Sequence, residues 1–231
     1  MLSDIFRYFI GYKKYFPILD IMSNYYDNFD KAVSFTKTLG FKEEWNGVVK
    51  EKEYDYQNVF NHVCSLSGVT SVSASAGQCL KWSHYLQPYF KEALECRVWV
   101  TVGQLWKEGQ FVYNPSVEDI QRWSKKGIQP KDFGSHSGFN FHAWLTMKNG
   151  IIVDVSFMST LAQVLPERFG EACGGVVFGK PDNILPDHKY VPMIVGRKLV
   201  EKKERLSFID FLAHDHIDLY TVPFALIPDV Q

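Results

Sequence analysis

The stretch Phe141-His142-Ala143-Trp144-Leu145-Thr146-Met147-Lys148-Asn149-Gly150-Ile151-Ile152-Val153-Asp154-Val155-Ser156-Phe157 reads as a hairpin, with strands over Phe139 to Met147 and Ile151 to Phe157. Asn149-Gly150 is the usual signal for a two-residue turn, which would pair Lys148 with Ile151 and set His142 and Asp154 on opposite faces. A three-residue loop, Lys148 to Gly150 with Gly150 left-handed, pairs Met147 with Ile151 instead. Trp144 then lies opposite Asp154 and His142 opposite Ser156, so His142 and Asp154 become diagonal neighbours. Binary pattern separates the two registers. The three-residue loop gathers Phe141, Ala143, Leu145, Met147, Ile151, Val153, Val155 and Phe157 onto one apolar face, whereas the two-residue turn mixes Asp154 and Ser156 into that set. Burying an unpaired carboxylate costs several kcal/mol, more than separates turn types. The expectation is the three-residue loop, with a polar face carrying His142 and Asp154.

Upstream, Ser65 to Ser75 is rich in small uncharged residues and runs into Gly77-Gln78-Cys79. From Cys79, the residues Trp82, Tyr85, Leu86, Tyr89, Phe90, Ala93 and Leu94 recur at helical spacing, which places Cys79 at a helix N-terminus. Pro88 lies inside that helix, cannot bond the carbonyl of His84, and predicts a kink. Arg97 to Val102 alternates as a strand, with Gly103 as its end or a bulge. Pro115 to Asp119 starts a helix with Ser116 as N-cap and Gly127 as stop, expected as a polar surface insert. Asn28 to Leu39 reads as a helix stopped by Gly40. The tail from Ser159 to Gln231 mixes loops with short apolar runs such as Tyr190 to Val195. No internal repeat and no low-complexity tail is visible.

Composition bounds the classes. With 231 residues, 46% hydrophobic and 22% charged, the chain has the balance of a globular protein, expected as one domain over 1–231 with extensions at both ends and a core about 70–157. Aromatic residues make up 16%, with runs such as Phe6-Arg7-Tyr8-Phe9 read as core material. A net charge of -1, from 25 basic and 26 acidic side chains, gives no reason to expect nucleic acid or a membrane surface as partner. Asp4 precedes the first apolar stretch, and Arg7, Lys13 and Lys14 interrupt it, so no signal peptide or span is expected and a cytoplasmic location is the expectation. Cys64, Cys79, Cys96 and Cys173 form no C-x-x-C pair, which fits neither a disulfide scaffold nor a zinc site. Buried thiols, or one reactive one, remain.

A thiol becomes nucleophilic beside an imidazole and at a helix N-terminus. Cys79 has the second by position, His142 is the candidate base, and Asp154, across the hairpin, is the group that fixes its tautomer. The oxyanion of a tetrahedral intermediate needs the Cys79 backbone N–H and a second donor. Candidates for oxyanion or substrate binding are Gln78 and Trp144, with Trp45, Trp99 and Trp106 unranked behind them.

Gly77-Gln78-Cys79 before an amphipathic helix, then Arg97-Val98-Trp99-Val100-Thr101, then His142-Ala143-Trp144 and Asp154, resembles the transglutaminase-like (papain-like) superfamily of cysteine enzymes. The resemblance covers roughly residues 70 to 157. It implies an α+β, papain-like fold with a nucleophile helix packed on an antiparallel sheet. It further implies a Cys79-His142-Asp154 triad and a thioester intermediate formed with a protein or peptide amide, or with a small acyl donor. No acidic cluster suggests the calcium sites of the animal enzymes, so hydrolysis or deamidation is expected ahead of crosslinking, with no metal and no cofactor. Two alternatives stay open: acyl transfer to small amines in the manner of arylamine acetyltransferases, and a non-catalytic binding module on the same scaffold. Cys64 near His62 is the rival nucleophile and His136, between Ser135 and Ser137, the rival base. His214-Asp215-His216-Ile217-Asp218 reads as a solvated edge or loop.

Overall fold

Lys148–Gly150 forms the three-residue loop, with Met147 N–H bonded to Ile151 O at 2.8 Å and Gly150 N–H to Met147 O at 2.9 Å. Gly150 is left-handed (φ 82°), and a Cβ there would meet the Tyr26 ring at 2.7 Å, so glycine is required twice over. The computed structural model describes residues 24–49, 54–129, 132, 140–182, 184–207 and 210–221. The N-terminal aromatic run, Phe139 and His136 lie outside those residues.

The protein is mixed α and β, with eight α-helices among the described residues and one open antiparallel sheet. Helices α1 (Tyr25–Thr38) and α2 (Tyr56–Ser67) precede α3 (Cys79–Leu94). Strands β1 (Val98–Lys107) and β2 (Gln110–Tyr113) lead to α4 (Val117–Lys126) and to the hairpin β3 (His142–Met147) and β4 (Ile152–Asp154). Then come α5 (Phe157–Val164), α6 (Pro166–Phe169), β5 (Val177–Gly179), β6 (His188–Val195), α7 (Arg197–Leu206) and α8 (Asp218–Thr221). The hairpin register is Leu145↔Val153 and Thr146↔Ile152, as the binary pattern requires.

β1 is the central strand. One edge pairs with β6 over Thr101–Lys107, and the other with β3 over Val98–Gly103 and then with β2 over Leu105–Lys107. The strand therefore does not stop at Gly103. The register against β6 shifts between Val102 and Gly103, and a Cβ on Gly103 would stand 2.0 Å from Val191 O. Gly103 marks a bulge of close backbone approach.

Both faces of the sheet are covered. One packs Val98, Val100, Val102, Ala143, Leu145, Met147, Val153 and Val155 against apolar residues of α2, α3, α4 and α7. Trp82 and Phe90 of α3 are wholly buried there, worth about 2–3 kcal/mol each. The other face packs Trp99, Leu105, Trp144, Ile152 and Tyr190 against Tyr25, Phe29, Ala32 and Val33 of α1.

α3 begins at Cys79 as its periodicity predicts, and the carbonyl of His84 that Pro88 leaves free accepts Arg197 Nη1 at 2.8 Å. α4 has the Ser116/Asp119 capping box, but it is no mere surface insert, because Ile120 and Trp123 are buried in the core. α1 starts earlier than Asn28, capped by Asn24, and α2 has no counterpart among the elements expected from the sequence.

Two expectations for the hairpin are corrected. Its second strand ends at Asp154, and Phe157 opens α5 and joins the α1-side cluster in place of the apolar face expected for it. The cause is Asp154 Oδ1, which accepts the backbone N–H groups of Ser156 and Phe157 at 3.1 Å each and diverts them from strand pairing. The face carrying His142 and Asp154 is also not open and polar. Asp154 is 0% exposed and His142 2%, so the expected register holds although its carboxylate is buried. It is buried paired, which removes the penalty of an isolated charge. Among the described residues, no helix is long and apolar enough to cross a membrane.

Candidate active site

His142 opens β3, opposite Gly103 of β1. Its Nε2 is 2.5 Å from Asp154 Oδ2, the diagonal contact that the three-residue loop makes possible. Oδ2 also accepts the Tyr190 hydroxyl at 3.0 Å, while Oδ1 takes the Ser156 and Phe157 N–H groups and the Ser156 hydroxyl at 3.2 Å. Every lone-pair direction of this buried carboxylate is occupied, the condition under which a buried charge is tolerated.

The electrostatics reflect that pairing. Burial works against a charged imidazole, but the Asp154 carboxylate, its hydrogen bond and the neighbouring Cys79 outweigh it and push His142 up to about 10. Burial would likewise raise Asp154, and the His142 charge, with the Ser156 and Tyr190 hydrogen bonds, holds it below its ordinary value. Among the described residues His142 Nδ1 has no hydrogen-bond partner. With Nε2 committed to Asp154, Nδ1 is the nitrogen left for a thiol.

The imidazole is boxed by rings. Tyr113 lies parallel to it at 5.3 Å between centroids, Trp144 stacks at 6.0 Å, and Phe157 and Tyr190 stand at 6.2 and 6.1 Å. The ring cannot swing away without displacing these neighbours.

Cys79 is half-buried at the first position of α3. The first N–H groups of a helix lack intrahelical partners, so its backbone presents donors and a positive dipole end at the sulfur. One turn on, Ser83 Oγ donates to Ala143 O at 3.4 Å, which registers α3 against the residue next to His142. The approach to Cys79 is pinned to the far end of the hairpin. Ser75 Oγ donates to Val155 O at 2.7 Å, and Gly77 N–H bonds Thr160 Oγ1 of α5 at 3.1 Å. Sulfur, imidazole and carboxylate are thus held by three elements that are bonded to one another.

The remaining sequence candidates have other partners or other places. Trp144 is fully buried behind His142 and gives its indole N–H to Tyr25 Oη at 2.7 Å. Trp106 donates to Gln104 Oε1 at 3.1 Å, and the Trp99 indole bonds Glu43. Trp45 packs beside Trp99 at 5.3 Å, at the Thr146 end of β3. Gln78 spends an amide N–H on Ala74 O at 3.3 Å. Cys64 and His62 lie two positions apart on α2, a spacing that does not face side chains together, and burial pushes the Cys64 thiol up. Burial does the same to Cys96. In the 214–218 segment, Asp215 and Asp218 accept backbone N–H groups of their own turn.

Tyr190, Ser156 and Tyr113 are the site residues that sequence reasoning missed. Tyr190 lies 36 positions from Asp154 on a strand of the tail, and no local periodicity signals that contact. Comparison with protein-family models, curated proteins and solved structures found no match for this chain.

Proposed function

We propose that this chain is a thiol enzyme of papain-like (transglutaminase-like) fold, a cysteine-dependent amide hydrolase or acyl transferase working through a thioester on Cys79. The observation that carries the reading is the buried His142–Asp154 pair, with Nε2 and Oδ2 2.5 Å apart and Nδ1 unpartnered among the described residues, beside a cysteine at a helix N-terminus. The thiol proton rests on His142 as the imidazolium, the thiolate attacks the carbonyl carbon, and Asp154 stabilises that imidazolium. The imidazolium returns that proton to the departing amine. Water or an acceptor amine, deprotonated by the same nitrogen, then resolves the thioester. The acyl donor is a protein or peptide amide or a small acyl compound, and the enzyme works without metal or cofactor.

The test is competitive labelling with limiting iodoacetamide near neutral pH, each thiol scored by peptide mass spectrometry. If exposure alone governed reactivity, Cys173, the exposed thiol, would lead. The proposal requires Cys79 to lead, and to lose its advantage in His142→Ala. A Cys79 labelled no faster than Cys173 refutes it.

A further inference from the structure

The half-buried Tyr113 closes β2, paired with Leu105 of β1. β3 starts at His142, opposite Gly103 on the same edge of β1, because Thr101–Gly103 pair with β3 and with β6 while Leu105–Lys107 pair with β2 and with β6. The two strands therefore follow one another along that edge, and residues opposite positions 103 and 105 point to the same face. That is why the Tyr113 and His142 rings lie parallel, 11° apart in plane and 5.3 Å between centroids.

A phenol this enclosed ordinarily finds a partner for its O–H. Among the described residues the Tyr113 hydroxyl has none, and it is not sealed from solvent. Burial first, then its neighbours Cys79 and Asp154, raises its pKa, so the hydroxyl stays protonated at neutral pH. The indole N–H of Trp144 goes to Tyr25 and that of Trp106 to Gln104, while Gln78 gives one of its two amide N–H groups to Ala74 O.

We propose that the Tyr113 hydroxyl is the second oxyanion donor of this site, acting with the backbone N–H of Cys79. This rests on the thioester reading above and adds to it a catalytic residue. As sulfur bonds to the acyl carbon, the carbonyl π pair moves onto oxygen. Tyr113 donates its O–H to that oxygen without giving up the proton. The pair returns when the carbon–leaving-group bond breaks, and His142 protonates the leaving group. The site then accepts acyl groups whose carbonyl oxygen can lie beside the phenol over the imidazole edge.

Alkylation by iodoacetamide builds no oxyanion, whereas acylation by p-nitrophenyl acetate does, so the full-length chain is assayed with both. In Tyr113→Phe, which keeps the ring on His142, alkylation of Cys79 stays within about twofold of wild type. Its acylation falls about 100-fold, the effect of removing one oxyanion donor. Gln78→Ala loses less than about threefold in either reaction. Equal loss of both reactions in Tyr113→Phe makes the phenol a support for the imidazole and overturns the proposal, as do unchanged acylation or a larger acylation loss in Gln78→Ala. A wild-type Cys79 that alkylates first among the thiols but is not acylated overturns the donor role alone. One inert to both reagents overturns the thioester reading with it.

Discussion

Exchanging Asp154 for Asn keeps shape and removes charge, so it isolates what the carboxylate does. An imidazole that keeps its proton up to about 10, against an ordinary 6.5, is favoured as imidazolium by about 5 kcal/mol. Removing one partner of a buried ion pair costs about 3–5 kcal/mol by independent measure, and the lower figure is the safer expectation. The raised value sets the sign of the pH dependence. Stabilisation by the pair is fully present below 6.5 and lost as pH rises through about 10. The stability gap between wild type and Asp154→Asn in urea unfolding is therefore about 3 kcal/mol at pH 6 and narrows towards pH 10. The tautomer changes as well. Oδ1 must go on accepting from Ser156 and Phe157, so the amide NH2 falls on the His142 side and Nε2 becomes an acceptor. Nδ1 then carries the hydrogen and cannot take one from Cys79. Acylation of Cys79 falls about 10³–10⁴-fold at pH 7, and the His142 ring, followed by NMR, titrates well below its wild-type value because the carboxylate's charge and hydrogen bond no longer oppose burial. A variant that acylates at the wild-type rate with its His142 titration unmoved refutes this reasoning.

Tyr190→Phe removes one donor to Asp154 Oδ2. It costs about 1.5–3 kcal/mol at neutral pH, and the loss shrinks on the acid side. A carboxylate held below 3.8 stabilises above that pH and stops doing so as pH falls, and with one donor fewer the acid-unfolding midpoint moves up. Arg197→Ala leaves the His84 carbonyl beside Pro88 unsatisfied. It lowers unfolding stability by about 1–3 kcal/mol, with Cys79 labelling unchanged. Gly103→Ala places a methyl 2.0 Å from a backbone oxygen that cannot yield. A loss of about 3 kcal/mol appears as a Tm lower by roughly 6–12 °C, and an unchanged Tm refutes the close approach.

Local chemistry was legible where it repeats at a fixed period. The helix start at Cys79 comes from apolar residues at three-and-four spacing, the Ser116 cap from a side chain that bonds its own turn, and the hairpin register from alternation across a glycine that must be left-handed. Each is settled by atoms a few residues apart, so the bare chain already puts Cys79 at a dipole end and His142 beside Asp154. The surroundings of that pair were misjudged because α1 covers the face from a segment far upstream. Phe157, placed on the apolar face by alternation, instead starts a helix because the Asp154 carboxylate captured its N–H.

Long-range packing alone selected the groups that make the pair usable. Strand β6 joins β1 and brings Tyr190 to Asp154, and Tyr113 meets His142 because two strands share one edge of β1. Such pairings are chosen by closure of long loops and by burial of both sheet faces at once. Neither leaves a mark in the periodicity of any one segment, so the candidate nucleophile and its base are visible in the chain, while the walls and donors around them exist only once it has folded.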